Sequence, residues 1–158
     1  MNDGSLMLWN ASEFLQNNNS KQTGDNNPFL AMDLYGAFNC LEFNPFKPEL
    51  IATGGEQCCL VDLGKDPSNP EVTEIEGGTA TSAVTSVSWN PTQRNAHILA
   101  CAHEDGTVNI VDMRNFGDPR KKSIVSSFKD KVGKSGREVV AQWNPESPTQ
   151  IATVVDDP

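Results

Sequence analysis

Residues 84–91 read Val84-Thr-Ser-Val-Ser-Trp-Asn-Pro91. Apolar and β-branched residues alternate here with period two, which predicts a strand, and the Asn-Pro dipeptide ends it in a turn. The same signature occurs twice more, at Phe43-Asn44-Pro45 and Trp143-Asn144-Pro145, at offsets of 46 and 54 residues from the Trp89 copy. Each copy is followed by a short apolar run: Leu50-Ile-Ala-Thr-Gly54, Ile98-Leu-Ala-Cys-Ala102 and Ile151-Ala-Thr-Val-Val155. A period of this length changes the whole reading of a chain, because each copy must be one supersecondary unit stacked on its neighbours.

A second series runs between these copies. Asp3-Gly-Ser-Leu-Met-Leu-Trp9-Asn10 matches Asp105-Gly-Thr-Val-Asn-Ile-Val111-Asp112 at an offset of 102, and Gln57-Cys-Cys-Leu-Val-Asp62 is a degenerate copy. A turn signal followed by alternating apolar residues predicts a further strand. Each unit therefore has four strands: one ending in aromatic-Asn-Pro, one of small residues, one ending near Asp, and an outer one. The expected divisions are a half unit at 1–37 that includes a long polar loop, full units at 38–83 and 84–138, and a half unit at 139–158. Polar loops are expected at 10–27, 64–71, 77–83, 114–122 and 129–138. Trp89, Trp143, Val87, Ile98, Leu99, Ile110 and Val111 are expected to pack between units.

Composition narrows the function. The 158 residues are 37% hydrophobic, the size of one ordinary domain, and carry a net charge of −9. That charge has the wrong sign for coating phosphates, so no nucleic-acid partner is expected. No apolar run reaches the ~18 residues of a membrane span, and Met-Asn-Asp-Gly-Ser is no signal peptide, so a soluble intracellular chain is expected. Cys40, Cys58, Cys59 and Cys101 form no CxxC pair and are expected to be buried small hydrophobes without disulfides.

Catalytic chemistry finds no foothold. His97 and His103 lie about 20 Å apart on an extended strand, beyond the reach of one zinc ion. Gly54-Gly55 and Gly77-Gly78 lack the spacing and following helix of a phosphate loop. No catalytic residue, cofactor or metal is expected. The basic residues are unevenly placed: eight of the twelve Lys and Arg lie between Arg114 and Arg137, leaving that stretch at +6 and the rest at −15. Arg114, Arg120, Lys121 and Lys122 are the candidate partner contacts, docking by charge on an acidic surface or, peripherally, on anionic lipid.

Four short strands per 40–50 residues, an Asp-Gly turn, and Trp9-Asn10, Val61-Asp62 and Val111-Asp112 at the ends of third strands together resemble the WD repeat of β-propellers. The fold class implied is an all-β, WD-repeat β-propeller fragment with two full four-stranded blades flanked by two half blades. Val87-Ser-Trp89-Asn90, His97-Ile-Leu-Ala100, Val139-Val-Ala-Gln-Trp143-Asn-Pro, Thr149-Gln-Ile-Ala-Thr153 and Asp156-Asp-Pro158 are, in that order, similar to the N-terminal propeller of the large outer-cage subunit of the COPII vesicle coat. That resemblance implies a non-enzymatic scaffold of endoplasmic-reticulum export vesicles, cytoplasmic and located at exit sites and coated vesicles. Its implied partners are the smaller WD-repeat cage subunit and copies of itself at cage vertices. An alternative is a substrate-receptor propeller of a ubiquitin ligase, because Val111-Asp-Met-Arg114 resembles the WDxR adaptor-docking motif. A propeller hydrolase is a third class. Two full and two half blades are not expected to close a ring alone, and two copies pairing through Ser5–Trp9 and Ile151–Val155 would form a dimeric ring of six.

Overall fold

The computed structural model describes residues 4–12, 27–34, 36–66, 68–75, 82–115, 122–129 and 139–155. Among these the chain is all β, and no helix is long and apolar enough to cross a membrane. The chain divides into two compact units, Met1–Ala37 and Phe38–Pro158. In the first, β1 (Gly4–Leu8) pairs antiparallel with β2 (Leu30–Leu34), Leu6 opposite Met32. Leu6, Leu8, Leu30 and Leu34 are its buried side chains.

The second unit holds three antiparallel sheets. The first runs β3 (Phe38–Phe43), β4 (Leu50–Gly55), β5 (Cys58–Asp62), β6 (Glu71–Glu74). The next runs β7 (Val84–Trp89), β8 (Ile98–His103), β9 (Thr107–Asp112), β10 (Ile124–Lys129). In the third, β11 (Val139–Trp143) pairs with β12 (Ile151–Val155). The leading strands β3, β7 and β11 pack side by side. Register slips by one residue at Phe38/Cys40 and at Val84/Ser86, so the repeat reproduces even its bulge, a device that bends a strand and adds twist.

Burial falls from the second strand outward. β4 and β8 are buried at every residue but their first, whereas β6 and β10 are almost wholly exposed. The small residues Ala52, Ala100 and Ala102 let neighbouring sheets approach on both faces, the condition under which a strand loses polar alternation. One core cluster joins the first two sheets through Ala52, Cys58, Val84, Val87, Trp89, Leu99, Cys101 and Val111. A second joins the last two through Ala100, Ala102, Val108, Val139 and Ala141. Full burial of each Val or Leu contributes about 1.5–3 kcal/mol.

Of the expected core, Val87, Trp89, Leu99 and Val111 are buried, and Ile110 and Trp143 pack half-buried on the second cluster. Ile98 is half-buried and belongs to neither cluster, because it is the first residue of β8, at the rim of the sheet. Cys40 is also half-buried, contrary to expectation, since it lies on β3, the edge strand of its sheet. Much of the loops expected at 10–27, 77–83, 114–122 and 129–138 falls outside the described residues, as do Arg120, Lys121 and Asp156-Asp-Pro158.

Candidate interaction surface

The aromatic-Asn-Pro motif ends each leading strand, and its asparagine works in two directions. Inward along its own chain, the Asn44 side-chain oxygen accepts from the backbone N–H of Phe46 and Lys47, each at 3.0 Å. Asn90 accepts from Thr92 Oγ1 at 2.9 Å, and Asn144 from Glu146 N at 3.0 Å. These bonds shape the turn that the following proline begins. Outward, Asn44 Nδ2 donates to the carbonyl of Ala96 at 2.7 Å, and Asn90 Nδ2 to that of Pro148 at 2.9 Å. Both acceptors belong to the connection after the leading strand of the next sheet. Asn144 Nδ2 turns to Gln150 Oε1 in its own connection, at 2.8 Å.

A polar residue at or just after the end of β1, β5 and β9 caps its own turn. Asn10 Oδ1 accepts from Ser12 N at 3.1 Å, Asp62 Oδ1 from Gly64 N at 2.8 Å, and Asp112 Oδ1 from Arg114 N at 3.0 Å. The repeat's Trp-Asp position therefore keeps its capping acceptor even where valine replaces tryptophan. The Asp-Gly turn adds a further case: Asp105 accepts from the backbone and hydroxyl of Thr107, both at 2.9 Å, and from Lys129 Nζ at 3.0 Å. Burial opposes ionisation of Asp105, but those bonds outweigh it and hold its carboxyl at about 2. Gly106 supplies the left-handed φ of 86° that the turn requires.

Behind that turn, Asp105 N donates to Ser82 Oγ at 3.3 Å, and His103 Nδ1 meets the Ser82 carbonyl at 3.2 Å. A carbonyl only accepts, so Nδ1 carries the proton and Nε2 accepts from Asn109 Nδ2 at 3.0 Å. His103 is thus a satisfied, buried residue at the end of β8. Among the described residues no group of three His, Cys, Asp or Glu is placed to hold a metal ion.

The described candidates are brought together. Arg114 lies in a 3₁₀ turn, Met113–Asn115, that follows β9, and Lys122 stands two residues before β10. Asn115 Nδ2 donates to the Lys122 carbonyl at 3.0 Å and ties the two ends of this connection. The Arg114 guanidinium is committed within the chain: its Nε meets Asp112 Oδ1 at 3.0 Å and its Nη2 meets Asp112 Oδ2 at 2.7 Å, a two-point pair. The side chain of Arg114 is nonetheless 66% exposed, against 8% for Asp112. The Arg114 hydrogen bonds lower the Asp112 carboxyl despite burial.

Three features escaped the sequence reading. The outward bonds of Asn44 and Asn90 need acceptors that only the stacked sheets reveal. A Cβ on Gly54 would lie 2.6 Å from Val84 Cγ1 and 2.7 Å from Cys40 Sγ, so Gly54 is there for close approach of β4 and β7, not for phosphate. Cys58 and Cys101, which lie in different sheets, meet with sulfurs 3.5 Å apart.

Three stacked antiparallel sheets with a repeated bulge and repeated caps define a chain of β-propeller fold. The β-propeller domain of Myceliophteria thermophila Cps50 (Swd1) superposes with a TM-score of 0.65 at 14% identity, covering 96% of this chain and 42% of that one. The chain resembles Sec31 protein transport proteins: it is 30% identical over 157 residues to that of Aspergillus terreus and 24% over 158 residues to that of Phaeosphaeria nodorum. Mouse Sec31B is 29% identical over 159 residues. These alignments cover 97–98% of the chain, which spans only 11–12% of the length of these curated relatives. No family profile matches the chain.

Proposed function

We propose that the chain is part of the N-terminal propeller of a Sec31-type subunit of the COPII outer coat and serves vesicle transport as a non-enzymatic scaffold. The observation that carries this reading is similarity spread over nearly the whole chain to proteins named for protein transport. The bonding supports it: the asparagines after the leading strands and Ser86 are spent on turn caps and contacts between sheets, which suits a rigid platform. Residues 1–37, 38–83, 84–138 and 139–158 are read as half, full, full and half blade of one propeller domain. The partners proposed are the smaller WD-repeat cage subunit and further copies of the same subunit at cage vertices, in the cytoplasm at endoplasmic-reticulum exit sites. Arg114, Arg120, Lys121 and Lys122 are the proposed charged contacts.

The test is binding of the chain to purified smaller cage subunit at two ionic strengths. Binding that weakens with salt and on replacing Lys121 and Lys122 by Glu supports the reading. Failure to bind that subunit, together with capture of a ubiquitin-ligase adaptor that is lost in Arg114→Ala, would overturn it.

A further inference from the structure

Cys58 lies on β5 and Cys101 on β8, strands of two different sheets that are joined by no backbone ladder. Their sulfurs are 3.5 Å apart, and the residues are 6% and 1% exposed, inside the core cluster shared by the two sheets. A disulfide has sulfurs about 2.05 Å apart, so the gap left to close is about 1.5 Å. Cys58 also lines a cleft of about 180 Å³ together with Glu56, Gln57, Glu74, Ser82 and His103. Cys101 does not line that cleft. One thiol therefore faces a space that a small reagent can enter, and the other waits behind it.

We propose that Cys58 and Cys101 are an oxidation site, at which hydrogen peroxide entering by this cleft converts the two thiols into a disulfide that staples the two sheets. In the first step the Cys58 sulfur attacks one peroxide oxygen. An S–O bond forms, the O–O bond breaks, and the departing hydroxide takes up the Cys58 proton as water, leaving a sulfenic acid. In the second, the Cys101 sulfur attacks the Cys58 sulfur. The S–S bond forms, the S–O bond breaks, and the hydroxide leaves as a second water with the Cys101 proton. Two electrons pass from the protein to the peroxide, and the oxidation stops at the reversible disulfide rather than climbing to sulfinic acid.

The pair is slow by construction. The hydrogen bond to Cys101 and then burial push the Cys58 thiol well above its ordinary range, and the thiolate is the reactive form. Burial also raises the competing thiols, Cys40 and Cys59, each to about 11. Geometry therefore selects the product, because Cys101 is the sulfur already in contact with Cys58. The staple joins residues 43 apart in sequence and bars separation of the two sheets.

The full chain is exposed to hydrogen peroxide, its free thiols are blocked with N-ethylmaleimide after denaturation, and an unreduced digest is read by mass spectrometry. The expected result is a linked peptide pair carrying Cys58 and Cys101 that separates on reduction, with amide exchange in β5 and β8 slowed at least about tenfold. In Cys101→Ser the expected product is a Cys58 sulfenic acid trapped by dimedone, and in Cys58→Ser an unmodified Cys101. Mapping of the unaltered chain decides even if neither variant folds. Linkage through Cys40 or Cys59, or Cys58 advancing to sulfinic acid with Cys101 free, overturns the proposal.

Discussion

The seam between β3–β6 and β7–β10 and the seam between β7–β10 and β11–β12 place equivalent strands against each other, yet different chemistry holds them. At the first, Trp89 is 3% exposed, its ring Nε1 donates to the Glu42 carbonyl at 3.1 Å, and Cys58 meets Cys101. At the second, the corresponding Trp143 is only half-buried, and its Nε1 is the one buried side-chain polar atom without a partner among the described residues. Hydroxyl groups do the joining there: Ser86 Oγ accepts from Ala141 N at 2.8 Å, Ser88 Oγ from Trp143 N at 3.3 Å, and Thr85 Oγ1 donates to the Val139 carbonyl at 2.5 Å. The cleft position lined by Cys58 at the first seam is lined by Val108 and Thr153 at the second. The repeat thus fixes backbone geometry, turn caps and the asparagine bridge between sheets, while the other side chains that join neighbours vary from seam to seam.

The largest expected effect separates the two tryptophans. Trp89→Ala should cost about 3–5 kcal/mol in urea denaturation, because a buried ring and its cavity are both involved. Trp143→Ala should cost less than half as much. Trp143→Phe should be near neutral, since it removes an unsatisfied N–H. Equal losses at Trp89 and Trp143 would break the distinction between an aromatic seam and a hydroxyl seam.

Next comes backbone approach. Gly54→Ala should destabilise by about 1–3 kcal/mol, because the new methyl group meets Val84 and Cys40 at sub-contact distances. In the following sheet the equivalent position is already Ala102, fully buried, so the constraint belongs to one seam only. The asparagines give a finer comparison. Asn90→Ala should cost about 1–2 kcal/mol by leaving turn groups unpaired, and Asn144→Ala under about 0.5 kcal/mol, since its bonds are exposed.

Acid should act on the Asp105 turn. Its carboxyl is at about 2 when folded, against ~3.9 when unfolded, so its contribution is complete above about pH 4 and is lost as pH falls toward 2. The unfolding free energies of the wild type and Asp105→Asn, measured in urea, should therefore converge across that window, from a gap of about 1–2 kcal/mol after allowance for solvent screening. Arg114→Ala is expected to cost only within about 1 kcal/mol, reduced by salt, because the Arg114 end of its pair with Asp112 is solvent-exposed.

What was legible in the sequence was what repeats. Alternation at Val84–Trp89 and the three Asn-Pro turns located strands and their ends, because period and turn chemistry are local properties. Register was less secure: the backbone bond of Asn144 goes to Gln150, where Asn44 and Asn90 bond Leu50 and Ile98, so the third apolar run starts one residue later than alignment by its apolar residues implies. The joints between sheets were not legible. Whether Asn44 finds Ala96, or Cys58 finds Cys101, depends on how sheets stack, and beyond the asparagine bridge the two seams share no residue type that marks the contact. Arg114 was singled out by charge, yet its first partner is its neighbour Asp112, a pairing that an Asp-x-Arg spacing in a tight turn could have suggested.

The amides of Asn44 and Asn90 also limit how this chain can change length. Each reaches a carbonyl in the short connection that follows the next leading strand, 90–97 or 144–150, and a residue inserted there would withdraw Ala96 or Pro148 from the amide it receives. An insertion after the third strand of a sheet disturbs no such bridge. Growth and divergence are therefore steered to the connections after the third strands, which lie at the same end of each sheet as the asparagine turns; of two loops side by side, one is held to a fixed outline, as the gauge of a track holds whatever runs on it, and the other is left to lengthen.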